Sequence, residues 1–262
     1  MLATVGLLTA PVVAISLLSV QQEIAIGRET NAQVRKEVPE LRDGEVRAYV
    51  RDVLQRLVQV APGPKYPYSV AIANYREINA FALPGGPVWI NRGVLQMAAR
   101  ESQVAAVLAH EIAHIAQRHA ADRATTGVAA NLGLGMLGAL LGNTGGANAA
   151  RSAAGLLANG IFLKFSRDDE READRVGLRM LRRAGWDGRG MIELFDLLQR
   201  EAKRNPDGVE TFFSSHPAPS DRSARLRSQL ARENSGRRDS QQFQRVKAKL
   251  QKMAPALRTP RE

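Results

Sequence analysis

One five-residue stretch constrains the fold of this 262-residue chain more than any other, because its chemistry requires a helix. The stretch reads His110-Glu-Ile-Ala-His114, the HExxH pattern, in an Ala-rich segment whose apolar residues recur with helical periodicity. A spacing of four residues on a helix places both imidazoles on one face, where they can bind a single metal ion. We therefore predict a helix over residues 101–121 with a metal site on it. The competing interpretation is a pair of structural histidines on an ordinary helix.

Two further residues of this helix have distinct predicted positions. Glu111 lies between the two histidines around the helix axis, so it is placed to accept a proton from metal-bound water and not to bind the metal. His119 follows His110 by nine residues and would point to the opposite side of a continuous helix. We predict that His119 is a surface or helix-end group outside the metal site.

A catalytic zinc ion takes three protein ligands and keeps one position open, so a third ligand must come from elsewhere in the chain. The candidates are the acidic residues of the segment 166–174. Glu170 and Asp174 are four residues apart, so that one can bind the metal while the other accepts a hydrogen bond from a histidine ligand. The same offset from Glu172 reaches Val176, which cannot accept one. Glu170 is the predicted ligand, and a solvated charged face is the alternative.

The composition limits both the metal ligands and the partners. The chain contains no cysteine, so disulfides, thiolate ligands and a cysteine nucleophile are excluded, and a transition metal must be held by imidazole and carboxylate. The formal net charge of +11 is typical of proteins that bind nucleic acid, anionic lipid or acidic partners. Aromatic residues make up only 5%, and no nucleic-acid-binding signature is present, so we expect no nucleic-acid partner. An anionic membrane surface is favoured; a merely soluble basic surface is the alternative.

Two apolar segments are candidates for membrane contact. Residues 2–20 carry no charge and are long enough to span a bilayer, so we predict a signal or membrane-anchor-like segment and export of the chain. A buried core helix is the alternative. Residues 127–161 are rich in Gly, Ala and Leu and contain one charged residue, Arg151. They are typical of a helical hairpin packed on the core, with a segment that dips into a membrane face as the second interpretation.

The remaining periodicity predicts helices around a small sheet, which is an α+β fold. Residues 68–73 alternate like a strand, and residues 81–91 read as a strand, a Gly-rich turn and a second strand. Residues 205–220 contain three prolines and are predicted to form a loop. Helical patterns cover 22–60, 93–100, 165–184 and 191–204, and two basic helices follow Ser220.

Four stretches together resemble one group of gluzincin metallopeptidases, metallopeptidase family 48. This family includes the CAAX prenyl proteases, the HtpX-like membrane peptidases and their periplasmic and mitochondrial relatives. The matching stretches are 79–86 (Asn-Ala-Phe-Ala-Leu-Pro-Gly-Gly), the HExxH helix, 166–174 and 216–222 (His-Pro-Ala-Pro-Ser-Asp-Arg). Together they extend over most of the chain and are highly specific.

The resemblance implies one Zn²⁺ per chain with His110, His114 and Glu170 as its ligands. It also implies that Glu111 is the general base and that Asp174 supports the ligands from behind. The implied fold is a mainly helical zincin-like (gluzincin) peptidase domain with a small sheet beside the HExxH helix.

The predicted function is zinc-dependent hydrolysis of peptide bonds in misfolded or membrane-associated proteins, as part of quality control in the bacterial envelope. Residues 1–20 form the signal or anchor-like segment, 21–235 the peptidase domain, and 236–262 a basic C-terminal helix and tail. Because prenyl proteases and HtpX-like members have several membrane spans, the single candidate here favours an exported, periplasmic or singly anchored subgroup. Expected partners are protein or peptide substrates, with a membrane surface and clients of outer-membrane assembly as further candidates. The alternative is a chaperone-like zincin that binds clients and rarely cleaves them.

Two more segments are expected to contribute to catalysis. An extended substrate needs the edge of a sheet, and Pro87–Asn91 is the predicted strand that pairs with it; an ordinary sheet edge is the alternative.

His216 lies in a loop stiffened by Pro217 and Pro219, with Ser220 as the predicted cap of the next helix. The resemblance places this loop over the metal. His216 would then donate to the oxyanion or occupy the open coordination position at rest, unless it is a structural loop residue.

Overall fold

The structure, a computed structural model, describes residues 18–123, 164–217, 222–230 and 236–260. Within those ranges the chain forms helices around one small sheet, which confirms the predicted α+β class. The predictions for 1–17, for 127–161 and for Ser220 lie outside the described residues. The elements in chain order are α1 (Val20–Glu37), α2 (Gly44–Val58), β1 (Ser69–Ala73), β2 (Ala80–Ala82), β3 (Pro87–Asn91), α3 (Arg92–Met97), α4 (Glu101–Ala116), α5 (Arg167–Arg183), α6 (Arg189–Arg204), a 3-10 turn (Pro206–Gly208), α7 (Glu210–Ser215), α8 (Arg222–Leu230) and α9 (Gln241–Lys252).

The helical pattern predicted over 22–60 is divided into two helices. Val38 has extended backbone angles, as expected for a residue that precedes proline. Asp43 then caps the start of α2 by accepting hydrogen bonds from the backbone N–H groups of Glu45 and Val46. The helical pattern is thus confirmed over most of 22–60, with a break at residues 38–43 that was not predicted. The predicted loop 205–220 was wrong in part, since it contains the 3-10 turn and the short helix α7.

The sheet has three strands in the order β1-β3-β2, with β1 parallel and β2 antiparallel to β3. Because β3 pairs on both sides, its five residues are all buried, and the prediction that it offers an edge to substrate is wrong. The tight turn that joins β2 to β3 contains Gly85, whose φ of 73° suits glycine. A Cβ at Gly85 would lie 2.5 Å from the backbone of α1, so this turn packs directly beneath that helix.

Helix α4 forms the centre of the molecule, with each of its 16 residues buried. Small side chains let α5 approach it closely. Ala109 and Ala173 are fully buried, and a Cβ at Gly177 would lie 3.2 Å from the backbone of Ala109. The two helices that carry the predicted ligands are therefore held side by side.

The C-terminal region is packed onto this core. Phe243, Val246 and Leu250 of α9 are buried in the main hydrophobic cluster. The guanidinium of Arg92 donates hydrogen bonds to the carbonyls of Leu250 and Ala254, where α9 ends. In the described part of the chain, every helix is too short or too polar to cross a bilayer.

Candidate metal centre

Two helices and one loop bring four potential metal ligands to a single point. His110 and His114 come from α4, Glu170 comes from the first turn of α5, and His216 directly follows α7. One ligand atom from each of the four lies within 4.8 Å of all the others, and all four residues are buried. The HExxH spacing accounts for the two histidines on one face. A cap positions Glu170, since the Ser166 hydroxyl accepts a hydrogen bond from Asp169 N–H at the start of α5.

The distances between these atoms describe one coordination point. The Nε2 atoms of His110 and His114 are 3.1 Å apart. Carboxylate oxygens of Glu170 lie 3.5 Å from the first and 3.4 Å from the second. The Nδ1 atom of His216 is 2.9 Å from Glu170 Oε1 and 3.3 Å from His110 Nε2. Lone pairs of imidazole and carboxylate directed at one point without a thiolate suit Zn²⁺ or a related transition metal.

Glu111 lies beside this cluster and is fully buried. Neither of its carboxylate oxygens has a hydrogen-bond partner among the described residues. The Nε2 atom of His216 is 3.5 Å from Glu111 Oε1. A buried carboxylate without partners is unfavourable unless a ligand or a reacting group completes the site. The donor set therefore fits a metal ion with a carboxylate base next to it.

Burial and mutual attraction displace the pKa values of these groups. Burial raises the pKa of Glu111, so this carboxylate holds a proton more tightly than usual. Burial also acts on Glu170, but the neighbouring His216 and His110 outweigh it and hold the pKa of Glu170 well below its usual range. Burial lowers the pKa of His114. In His110 the attraction of Glu170 and Asp174 outweighs burial and raises the pKa to about 9.

An ion-pair network supports the ligands from behind. Asp174 Oδ1 lies 3.2 Å from His110 Nδ1, where a carboxylate fixes the ring with Nε2 toward the metal point. Arg222 donates to both oxygens of Asp174, at 2.8 and 2.6 Å, and its Nη1 is 2.8 Å from Glu170 Oε2. The guanidinium also lies 4.0 Å from the ring centre of Phe195. The structure thus brings Asp174 to the position predicted from its spacing.

Arg222 is almost completely buried, and no role was predicted for it beyond its place at the end of the stretch 216–222. An arginine in a polar, Pro-rich segment is expected to lie at the surface, because arginines are rarely buried without a partner. The one available signal was the pair of carboxylates, Glu170 and Asp174, which require a positive charge once both are buried.

The position predicted for His119 is wrong. This residue is buried, and its Nδ1 atom lies 2.9 Å from Nδ1 of His114. The reason is that α4 ends at Ala116 instead of continuing to residue 121. Arg118 has a φ of 63°, which interrupts the helix, and His119 then lies against His114 instead of on the opposite side.

Aromatic rings enclose the centre. Phe165 stacks on His114 with ring centres 3.8 Å apart, and Phe212 stacks on His216 at 5.0 Å. The backbone N–H of Phe165 donates to the carbonyl of Ser215, which joins the start of α5 to the end of α7. His110, His114, Glu170 and His216 are accordingly all buried.

Comparisons with known proteins agree with this arrangement. A model of peptidase family M48 matches residues 44–230. The beta-barrel assembly-enhancing protease of Escherichia coli (strain K12) is 34% identical over 218 residues, which cover 81% of this chain and 44% of that protein. The mitochondrial metalloendopeptidase OMA1 of Schizosaccharomyces pombe is 32% identical over 170 residues, 65% of this chain and 49% of that protein. The chain spans less than half the length of these relatives. By its match over most of its length, the chain belongs to peptidase family M48.

Proposed function

We propose that this chain is a zinc-dependent endopeptidase that hydrolyses peptide bonds of protein substrates. The observation that carries the proposal is the convergence of four buried ligand atoms beside Glu111, whose carboxylate has no hydrogen-bond partner among the described residues. Membership of peptidase family M48 and similarity to two named proteases support the same activity.

In this proposal His110, His114 and Glu170 hold one zinc ion. When bound, zinc lowers the pKa of a coordinated water and polarises the scissile carbonyl. Glu111 accepts a proton from the attacking water and returns it to the leaving amine. The position of Glu111 next to His110 on α4, with both carboxylate oxygens unpartnered among the described residues, leaves it available for both steps. The carboxylate of Asp174, 3.2 Å from His110 Nδ1, attracts the Nδ1–H group and keeps the ring oriented.

His216 would be a fourth, displaceable ligand of the ion at rest. Two distances support this role over donation to an oxyanion: His216 Nδ1 is 2.9 Å from Glu170 Oε1 and 3.3 Å from His110 Nε2, which places it among the ligand atoms. Neutral imidazole is a zinc ligand, and His216 belongs to a short segment that can leave the site more easily than α4 or α5. Activity then requires displacement of this residue by substrate or by a partner.

The substrate pairs with β2. In the described part of the chain β2 pairs with β3 alone, so its other edge is available to an extended peptide. Ala82 and Leu83, at the end of this strand, line a cavity of about 10 Å³ together with His114 and Phe165. The shared cavity supports an approach of the substrate strand to His114 from the side of β2.

The substrates are misfolded or membrane-associated proteins of the bacterial envelope. The name of the Escherichia coli relative refers to assembly of β-barrels, and we extend to this chain a role near such assembly, in the periplasm or at the membrane. The net charge of +11 supports contact with anionic membrane surfaces or acidic clients.

The decisive experiment compares zinc-loaded wild-type protein with Glu111→Gln on an unfolded protein substrate. We expect the wild type to contain about one zinc per chain and to degrade the substrate. Glu111→Gln retains the metal, because Glu111 is not a ligand, and loses hydrolysis. His110→Ala and His114→Ala lose the metal. Full zinc content in both histidine variants would exclude the metal site, and hydrolysis by Glu111→Gln would exclude the base.

A second candidate is a chaperone-like zincin that binds unfolded clients and cleaves them rarely. It is favoured by the complete burial of Glu111 and by the position of His216 among the ligand atoms, both of which oppose frequent turnover. The two candidates differ in the effect of Glu111→Gln on suppression of client aggregation. A chaperone-like protein retains that suppression in the variant, whereas an endopeptidase that clears clients by cleavage loses it.

A further inference from the structure

The two histidines of the HExxH helix have different partners on their outer ring nitrogens. His110 Nδ1 faces the carboxylate of Asp174, whereas His114 Nδ1 faces the imidazole of His119 at 2.9 Å. A histidine that binds a metal through Nε2 carries its proton on Nδ1, and this N–H needs an acceptor when it is buried. His114 is buried, so an unmet donor there would weaken the site.

We infer that His119 is the positioning residue of His114: its Nδ1 accepts the hydrogen bond of His114 Nδ1–H and thereby directs His114 Nε2 to the metal. This inference rests on the proposed metal site. With Nδ1 as the acceptor, neutral His119 carries its own proton on Nε2. That atom lies 3.5 Å from Oε2 of Glu172, which completes a chain of three side chains from the ligand to the edge of the molecule.

The turn after α4 is built to place this ring. Arg118 adopts a left-handed backbone conformation, which few non-glycine residues adopt without support. Its side chain supplies that support: Nε donates to Oε1 of Glu23 at 2.6 Å, and Nη2 donates to the carbonyl of Leu18. Glu23 is itself buried and accepts a hydrogen bond from the hydroxyl of Tyr66. Helix α1 therefore fixes the turn that brings His119 to His114.

Two substitutions of His119 distinguish the loss of a hydrogen-bond acceptor from a change in side-chain shape. His119→Asn retains an oxygen near the position of Nδ1 and can still accept the hydrogen bond, whereas His119→Leu fills the space and accepts none. Removal of such a partner weakens metal binding by about 10- to 100-fold. We therefore expect His119→Leu to lose zinc affinity by that factor in competition with a chelator, and His119→Asn to stay within about threefold of the wild type. Gln117→Leu, in the same turn, is the matched control and should bind zinc like the wild type.

A second measurement reports on the hydrogen bond itself. The chain has only four histidines, so ¹⁵N labelling of histidine gives a spectrum with few ring signals. In the zinc-loaded wild type we expect His114 Nδ1 to carry a slowly exchanging proton, and we expect this signal to be retained in His119→Asn and lost in His119→Leu. Each variant's Tm is measured with and without zinc, and the rises in Tm are compared. A loss of folding stability that does not depend on zinc lowers both values and leaves the rise unchanged.

The outcomes distinguish this inference from the proposed function. A wild type that binds no zinc overturns the metal site and with it the role of His119. A wild type that binds zinc, together with His119→Leu of equal affinity and an intact His114 signal, overturns only the role of His119. Equal losses in His119→Leu and His119→Asn also overturn it, because the acceptor would then not be what matters.

Discussion

Replacement of Arg222 by methionine tests whether the ion-pair network behind the metal holds the fold together. Arg222→Met keeps a long side chain against Phe195 but leaves the carboxylates of Asp174 and Glu170 buried without their cation. Removal of one partner from a buried, hydrogen-bonded ion pair costs about 3–5 kcal/mol. For a protein of this size each kcal/mol lowers Tm by about 2–4 °C, so the expected fall is roughly 6–20 °C.

The assay is thermal or urea unfolding in the presence of a chelator, because bound zinc would neutralise Glu170 and mask part of the loss. Arg227→Met is the matched control on the same helix. Arg227 pairs with Asp196 at 2.7 Å, but its side chain is 57% exposed, and a surface pair of this kind contributes about 0–1 kcal/mol. We expect the control to unfold close to the wild type.

A double substitution tests whether the unpaired carboxylate of Asp174 causes the loss of stability in Arg222→Met. Asp174→Asn combined with Arg222→Met removes a negative charge together with the guanidinium, so it should be less destabilising than the sum of the two single changes. If Arg222→Met costs no more than Arg227→Met, or if the two changes are additive, the buried network does not stabilise the fold in the way described here.

Three further predictions follow from the site. His216→Ala should raise hydrolysis of an unfolded protein at unchanged zinc content, whereas a fall of about 100-fold or more would indicate an oxyanion donor instead. Glu170→Gln should weaken zinc binding in a chelator competition, while Glu172→Gln should change it little because the amide oxygen still accepts from His119; the reverse order would refute the ligand assignment. The pKa of Asp174 is lowered because its charged neighbours, Arg222 foremost, outweigh the effect of burial. The ionised carboxylate therefore stabilises the fold above its usual pKa of 3.8, and this stabilisation is lost as the pH falls through the lower pKa of the folded state. Unfolding of the metal-free protein should show an acid-dependent loss of stability, and this loss should be smaller in Asp174→Asn.

The parts of the site that could be predicted from the sequence depend on local spacing. The positions of His110 and His114 follow from helical geometry, and the four-residue offset from Glu170 to Asp174 follows from the same geometry on α5. Each of these relations lies within a single helix. The fold class was predictable for a similar reason, because the periods of strands and helices are read over short windows.

The parts that could not be predicted depend on contacts between distant segments. His119 reaches His114 because α4 ends at Ala116, and the left-handed Arg118 in the turn that follows is held by Glu23 from α1. Neither glycine nor proline marks this turn in the sequence. The central position of β3 likewise depends on its parallel pairing with β1, a strand that precedes the β2–β3 hairpin in the sequence.

Opening of the site is expected to involve α7 and the residue that follows it. The ligands on α4 and α5 belong to long helices that pack closely through Ala109 and Gly177, so moving them would disrupt the core. His216, by contrast, follows a helix of six residues and is held by stacking on Phe212 and by contacts with the ligand atoms themselves. We expect movement of this short segment to expose Glu111 and to withdraw His216 from the cluster, while His110, His114 and Glu170 stay in place. If catalysis requires opening, we expect the change to be confined to the segment that carries His216, since the helices that carry the other three residues are packed in the core.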